Sequence, residues 1–198
     1  MSLGAGDALI LVDVQRDFMP GGSLAVNDAD RVLAPINRCI ALFSQLGLPI
    51  YASRDWHPKQ HCSFREQGGP WPSHCVAGSE GAEFALGLHL PGHAVIVSKA
   101  TRSVPDACSA FDGSGLAGVL RSARVNRLFV AGVAADHGLQ QTVTDGLAEA
   151  LVVVVLGDAI AQLEHRAGDL ERGVARMRWL GAGFIDSQDL VGTHTTAC

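Results

Sequence analysis

The sequence predicts a three-layer α/β/α fold, in which helices cover both faces of a parallel sheet of about six strands. Short apolar runs rich in β-branched residues alternate with longer amphipathic segments along the 198-residue chain. The runs are continuous in their hydrophobicity, as in strands that are buried on both faces. Such strands in alternation with helices are typical of a parallel sheet. We find no internal repeat, and a single domain over residues 1–198 is predicted.

The apolar runs define the predicted strands, which span residues 8–14, 48–55, 93–100, 127–134, 150–159 and 183–187. The helices are predicted where apolar residues recur every three or four positions and so share one face. They span residues 28–46, 114–124, 138–149 and 166–180. Gly47 follows the first helix as a common stop residue. The C-terminal residues 191–198, VGTHTTAC, are predicted to fray.

Residues 56–92 interrupt the alternation of strands and helices. The segment is rich in Gly, Pro, His and Trp and shows no regular pattern. An irregular connection of this length in a compact domain is either functional or disordered. Its aromatic residues Trp56, Phe64 and Trp71 favour a function.

The composition argues against several classes of partner. The formal net charge of −5 and the pI near 5.8 disfavour nucleic acid and anionic membranes. No run of 18 apolar residues is present, so no membrane span is predicted. The five cysteines form no CxxC pair and no basic leader is visible, so we expect a cytoplasmic protein with reduced thiols. The first strand leads into VDVQRDFMPGGS, which lacks the phosphate-binding turn of dinucleotide-binding proteins.

Ionisable residues stand at the ends of the first and third predicted strands. Asp13 lies in an otherwise apolar strand, and Lys99 closes another. A buried carboxylate must be paired or be functional. Asp13 could simply cap a loop, or the two charges could pair across neighbouring strands. Because ligands bind beyond the carboxyl ends of parallel strands, their joint occurrence there favours a functional site.

The second strand ends in RDWHPKQH, which offers a pattern of metal ligands. In an extended chain, residues two apart face the same way, so Asp55 and His57 can hold one ion. His61 follows, and His74 could complete the set from across the loop. A carboxylate with imidazoles suits Zn, Fe or Mn better than Ca or Mg. The alternative is a group of surface histidines, since the chain has eight.

Five segments, in this order, resemble nicotinamidases of the isochorismatase-like cysteine hydrolase superfamily. They are ALILVDVQRDFMPGGSLAV, SRDWHPKQHCSF, GGPWPSHCVAGSEGAEF, VSKA and VAGVAADHGLQQTVTDGL. The metal pattern and WPSHCV are specific to nicotinamidases within that superfamily. The resemblance implies an isochorismatase-like fold and hydrolysis of nicotinamide, and of pyrazinamide, to the acid and ammonia. It further implies a place in NAD salvage and is compatible with a homo-oligomer.

The resemblance also implies roles for individual residues. Asp13 would be the general base and Lys99 the lysine of an Asp-Lys-Cys triad. The backbone N–H groups of Ala134 and of residue 138 would form the oxyanion hole.

Further roles concern the metal and the substrate ring. The metal would hold the pyridine nitrogen, and its ligands would be Asp55, His57 and His74, with His61 as a fourth in some members. The pocket walls would include Phe18, Trp71 and Cys108, which stands where relatives usually carry a tyrosine. Without the resemblance, core packing would explain Phe18 and Trp71 better.

The sequence departs from the family at the nucleophile. The family has a cysteine at position 138, whereas this chain has Gly138, which keeps the backbone N–H but has no attacking atom. A thiol at a helix N-terminus near a lysine has a lowered pKa and is a strong nucleophile. Glycine costs about 1 kcal/mol relative to alanine inside a helix, so it brings no obvious folding benefit.

Three explanations for Gly138 stay open. The scaffold has lost its nucleophile, naturally or by deliberate substitution, and binds nicotinamide with little turnover. Alternatively, Cys108 has taken over as nucleophile, although it would lack the helix N-terminus. A water activated by Asp13 or by the metal could also attack directly. A related amidohydrolase with another substrate is a further alternative, because KATRSVPDACSAF is about two residues longer than in shorter relatives and contains Pro105.

Overall fold

The fold is described by a computed structural model over residues 1–134, 138–164 and 166–192. Its strands are β1 (Asp7–Val12), β2 (Ile50–Asp55), β3 (Val95–Lys99), β4 (Arg127–Ala134), β5 (Val152–Gln162) and β6 (Gly183–Ile185). They form one sheet in the order β3-β2-β1-β4-β5-β6, and every neighbouring pair is parallel. The predicted parallel sheet of six strands is confirmed.

Within the described residues, the α-helices are α1 (Leu33–Gln45), α2 (Leu116–Ser122), α3 (Gly138–Ala148), α4 (Asp169–Trp179) and α5 (Ser187–Gly192). The first four lie inside the predicted ranges. Helix α1 begins later than predicted because residues 29–32 form a 3-10 turn. Helix α5 was not predicted, and it includes the first two residues of the segment expected to fray; residues 193–198 lie outside the described residues.

Two apolar clusters cover the two faces of the sheet. Alternate residues of β1 divide between them, so Leu9 and Leu11 pack with α1, whereas Ile10 and Val12 pack with α2 and α3. Helix α5 joins the first cluster and α4 the second. These clusters make the three layers that the sequence predicts. Because all strands run in parallel, the carboxyl ends of β1 to β4 meet at one edge of the sheet.

The strands at the centre of the sheet depart from the predicted ranges at two positions. Strand β1 ends before the predicted residue 14, because Asp13 has a φ of 49° and turns the chain out of the sheet. In β4, Gly132 has a φ of 139°, and a Cβ there would lie 2.1 Å from the carbonyl oxygen of Val12. Only glycine therefore permits this close approach of β4 to β1.

The segment 56–92 is irregular, as predicted, and is attached to the sheet edge at defined points. It contains two 3-10 turns, Arg65–Gln67 and Glu80–Ala82. Isolated backbone bridges join Gln15 to Phe84 and His57 to Val76. The segment is thereby held over the ends of β1 and β2. Elsewhere in the described part of the chain, helix lengths and hydropathy provide no candidate for a membrane-spanning helix.

Candidate active site and metal centre

Three strand ends meet in a buried ionic cluster of Asp13, Asp55 and Lys99. Asp55 and Lys99 are register partners on β2 and β3, and β1 lies on the other side of β2. Lys99 Nζ donates a hydrogen bond to Asp55 Oδ1 at 2.5 Å and lies 3.0 Å from Asp13 Oδ2. The two charges expected to pair across strands do so, together with a third. One cation is thus shared by two buried carboxylates.

Burial and mutual charge determine the protonation of this cluster. Burial raises the pKa of Asp13 to about 6, with Asp55 adding to the increase and with Lys99 and a Ser53 hydrogen bond opposing it. Burial also favours a high pKa for Asp55, but Lys99 and His57 outweigh it and hold that pKa below its usual range. Burial lowers the pKa of Lys99, yet the two carboxylates raise it well above its ordinary value. Asp13 is therefore the member that exchanges a proton near neutral pH, as a general base must.

Backbone strain is concentrated around the same cluster. Asp13, Cys75 and Ala100 have φ values of 49°, 44° and 51°. The left-handed conformation costs a residue with a side chain about 1–2 kcal/mol. Asp13 follows β1, Ala100 follows β3, and Cys75 follows the candidate ligand His74. Strain of this kind is common at functional sites, where the surrounding structure enforces it.

A candidate metal group adjoins the ionic cluster. Asp55, His57 and His74 are buried, and each offers a ligand atom within 4.8 Å of the others. Asp55 uses Oδ1 for Lys99, whereas its Oδ2 lies 3.6 Å from His57 Nε2. Ligands about 2.0–2.1 Å from a tetrahedral ion are about 3.3–3.4 Å apart. The separation of these two atoms is close to that required to share one ion.

The hydrogen bonding of the histidines fits a metal ion. Both ring nitrogens of His57 are buried and have no hydrogen-bond partner among the described residues. Such groups are rare in proteins because their desolvation is not repaid. His74 Nδ1 donates to the carbonyl oxygen of Pro72 at 2.8 Å, which leaves the lone pair of Nε2 for a metal. Burial lowers the pKa of His74 and favours the neutral form that binds metals.

His61 faces this group but is not part of it. Its ring centroid lies 4.2 Å from that of His57, and its Nδ1 lies 2.7 Å from Ser63 Oγ. Its Nε2 is buried, has no hydrogen-bond partner in the described ranges, and lies 3.8 Å from Asp106 Oδ1. The role of His61 as a fourth ligand stays a prediction.

The predicted pocket residues line the cavity that contains both groups. Asp13, Lys99 and the metal group share this cavity with Phe18, Trp71 and Cys108. Phe18 packs against His74 with ring centroids 5.7 Å apart. The sequence did not indicate four other lining residues, which are Leu24, Ser63, Asp106 and Ala107.

The predicted oxyanion hole lies at a gap in the description. Strand β4 ends at Ala134 and α3 begins at Gly138, while residues 135–137 lie outside the described residues. The hole therefore stays a prediction. The Gly138 carbonyl accepts a hydrogen bond from Thr142 Oγ1 at 2.8 Å, and that hydroxyl accepts one from the Ala110 N–H at 2.9 Å. These bonds connect the first turn of α3 to the segment that carries Cys108.

Three supporting residues were missed from the sequence. Ser53 Oγ donates to Asp13 Oδ1 at 2.7 Å, and Gln15 bonds to the backbone of Asp55. Asp17 Oδ2 accepts a hydrogen bond from the Cys75 N–H at 2.7 Å, directly after His74. The available signal was the position of Ser53, Gln15 and Asp17, two to four residues from Asp55 or Asp13.

Comparison with known proteins identifies the family. An Isochorismatase domain model matches residues 7–189. The chain belongs to the isochorismatase family. Among similar members, the nicotinamidase of Escherichia coli strain K12 is 34% identical, over 92% of this chain and 95% of that protein.

Solved structures of the isochorismatase fold support the same relationship. A pyrazinamidase of Pyrococcus horikoshii in complex with zinc has a TM-score of 0.87 and 43% identity, over 91% of this chain and 99% of that one. PnC1 from L. infantum in complex with nicotinate has a TM-score of 0.88 and 37% identity, over 96% and 98% of the two chains. The resemblance of this isochorismatase-family chain to nicotinamidases and pyrazinamidases is confirmed.

Proposed function

We propose that this protein is a nicotinamidase-type scaffold that binds nicotinamide-like amides but hydrolyses them slowly, because Gly138 replaces the nucleophile. One observation carries the proposal. The Asp13–Asp55–Lys99 cluster and the metal group share one cavity, while the first residue of α3 has no side chain. The parent activity is hydrolysis of nicotinamide and pyrazinamide to the acid and ammonia, which would serve NAD salvage in the cytoplasm.

Binding in this proposal depends on Asp55, His57 and His74, which would hold a divalent Zn, Fe or Mn ion. When bound, the ion would provide the ligand for the pyridine nitrogen and thereby orient the ring. Phe18 and Trp71 would flank that ring. The proposal is supported by the relatives, since one was solved with zinc and another with nicotinate.

The chemistry depends on Asp13, Lys99 and the backbone at position 138. In the parent reaction, a thiol at 138 gives its proton to Asp13 and attacks the amide carbon. The N–H groups of Ala134 and residue 138 stabilise the oxyanion. Asp13 returns the proton to departing ammonia, and water then hydrolyses the thioester to the acid. With Gly138 the first step has no attacking atom, and water activated by Asp13 supplies only slow turnover.

The substitution Gly138→Cys tests this proposal directly. Loss of the nucleophile from a concerted catalytic set costs about 10⁴–10⁶ in rate. We therefore expect Gly138→Cys to raise kcat for ammonia release from nicotinamide by about 10⁴ or more. Gly138→Ala is the matched control, because it adds a side chain without a nucleophile. Activity of the unaltered chain within tenfold of Gly138→Cys would contradict a missing nucleophile.

Two other outcomes identify other functions. Cys108 lines the cavity, so a thiol is available there. If the unaltered chain is active and Cys108→Ala abolishes that activity, the nucleophile is at position 108. Nicotinamide that binds by calorimetry, with no turnover by either the unaltered chain or Gly138→Cys, would favour a binding protein or sensor. Neither binding nor turnover would favour an amidohydrolase with a different substrate.

A further inference from the structure

Gln15 makes buried contacts that the proposed chemistry does not use. Its side chain has no exposed surface and forms three hydrogen bonds, all to backbone groups. Nε2 donates to the carbonyl oxygens of Asp55 and Ala82 at 2.8 and 2.9 Å. Oε1 accepts a hydrogen bond from the Asp55 N–H at 2.7 Å. The amide thus pairs with both backbone groups of Asp55, as a neighbouring strand would.

The path of β1 explains why a side chain makes this pairing. The Asp13 N–H donates to the Ser53 carbonyl oxygen at 3.3 Å, and the left-handed Asp13 then turns the chain out of the sheet. Strand β1 therefore supplies no backbone partner opposite Asp55, and the Gln15 amide takes its place. On the other side, the Trp56 N–H donates to the Lys99 carbonyl oxygen at 3.1 Å. The end of β2 is held from both sides.

We infer that Gln15 is a positioning residue for the metal centre. By fixing the backbone of Asp55, it keeps Oδ1 on Lys99 and Oδ2 directed toward His57. Its bond to Ala82 also ties the 56–92 segment to this strand end. Groups that orient metal ligands from behind typically change metal affinity by about 10- to 100-fold when they are removed. The inference rests on the metal site of the proposed function.

Binding of Co²⁺ alone tests this role without reference to activity. Gln15→Met has a similar size and no hydrogen bonds, and Gln15→Asn keeps the amide but is too short to span both backbone groups. We expect each to weaken Co²⁺ binding by about 10- to 100-fold and to change the visible absorption bands of the bound ion. Affinity is measured by competition with a chelator, on protein shown by circular dichroism to be folded. The Asn variant serves if the Met variant does not fold.

A matched control separates positioning from general loss of stability. Leu120 is buried in the apolar cluster of α2, on the opposite side of the sheet from α1, and is outside the cavity. Leu120→Ala should lower the unfolding temperature but leave Co²⁺ affinity within about twofold, since it creates a cavity away from the ligands. An equal loss of affinity in Leu120→Ala would overturn the inference.

Unchanged affinity and spectrum in a folded Gln15 variant would also overturn it. An unaltered chain that binds no Co²⁺ would overturn both this inference and the metal site of the proposed function. Failure of Gly138→Cys to hydrolyse nicotinamide would contradict the proposed function alone.

Discussion

The ends of β1 to β3 and the start of α3 differ in how much chemistry they retain. The first region holds Asp13, Asp55 and Lys99 in a buried network beside the metal group. The second offers Gly138, whose backbone is anchored through Thr142 but which has no side chain. Different contacts hold the two regions, so losing the nucleophile does not dismantle the ionic cluster. Binding and turnover are therefore separable properties of this site.

The largest effect we expect comes from Asp13 once a thiol is supplied. In a Gly138→Cys background, Asp13→Asn removes the group that accepts the thiol proton, so kcat should fall by about 10²–10⁴. The exposed Asp30 provides the control, and Asp30→Asn should leave kcat unchanged. Initial rates of ammonia release measure both. An active Gly138→Cys/Asp13→Asn enzyme would show that the region at β1 to β3 does not supply the base.

The next effect concerns the stability of the region that retains its chemistry. Lys99→Met leaves Asp13 and Asp55 buried without their cation, so the free energy of unfolding at pH 7 should fall by about 3–5 kcal/mol. Lys59, the other lysine of the chain, is exposed, and Lys59→Met should change stability by less than about 0.5 kcal/mol. Urea denaturation of metal-free protein measures both values.

The pH dependence of that loss gives a second check on the same variant. Without Lys99, the two buried carboxylates favour their protonated forms, so acid relieves the destabilisation. The difference between Lys99→Met and the unaltered chain should therefore shrink from pH 7 to pH 5. A constant difference would mean that lost packing, rather than unpaired charge, causes the destabilisation.

Much of the fold could be predicted because its signals are local. Continuous apolar runs marked the six strands, and parallel pairing brought their polar ends to one edge, so Asp13, Asp55 and Lys99 were found together. Helix α5 escaped prediction because its six residues are too few to show helical periodicity. The segment motifs likewise predicted His57 and His74, which the structure brings together with Asp55.

The supporting residues could not be predicted because their partners are distant in sequence. Gln15 and Ser53 bond to residues 40 positions away. Those contacts exist only because Asp13 leaves the sheet in a left-handed conformation, which is unusual for aspartate and has no sequence signature of its own. A pattern of residue types can thus locate reactive groups at strand ends, but not the buried polar groups that orient them.

The smallest effect we expect is a shift in the pH profile of Gly138→Cys. Asp13 must be ionised to act as a base, and its pKa is raised from 3.8 to about 6, so kcat/KM should fall as pH drops below about 6. The sign for stability is opposite: because the folded pKa exceeds the unfolded one, the protonated carboxyl contributes stability that is lost as pH rises through about 6. Metal content is measured at each pH so that loss of the ion is not mistaken for protonation.

Ser53→Ala sharpens that profile, because the Ser53 hydroxyl donates to Asp13 Oδ1 at 2.7 Å and stabilises the ionised form. Without this donor the acidic limb should move upward by about one pH unit, roughly the value of a hydrogen bond to a charged group. Ser98→Ala is the matched control, because Ser98 Oγ accepts a hydrogen bond from Arg54 and serves a neighbouring strand. It should leave the limb in place. A limb that stays near pH 6 in Ser53→Ala, or moves to lower pH, would mean that another group controls the ionisation on which turnover depends.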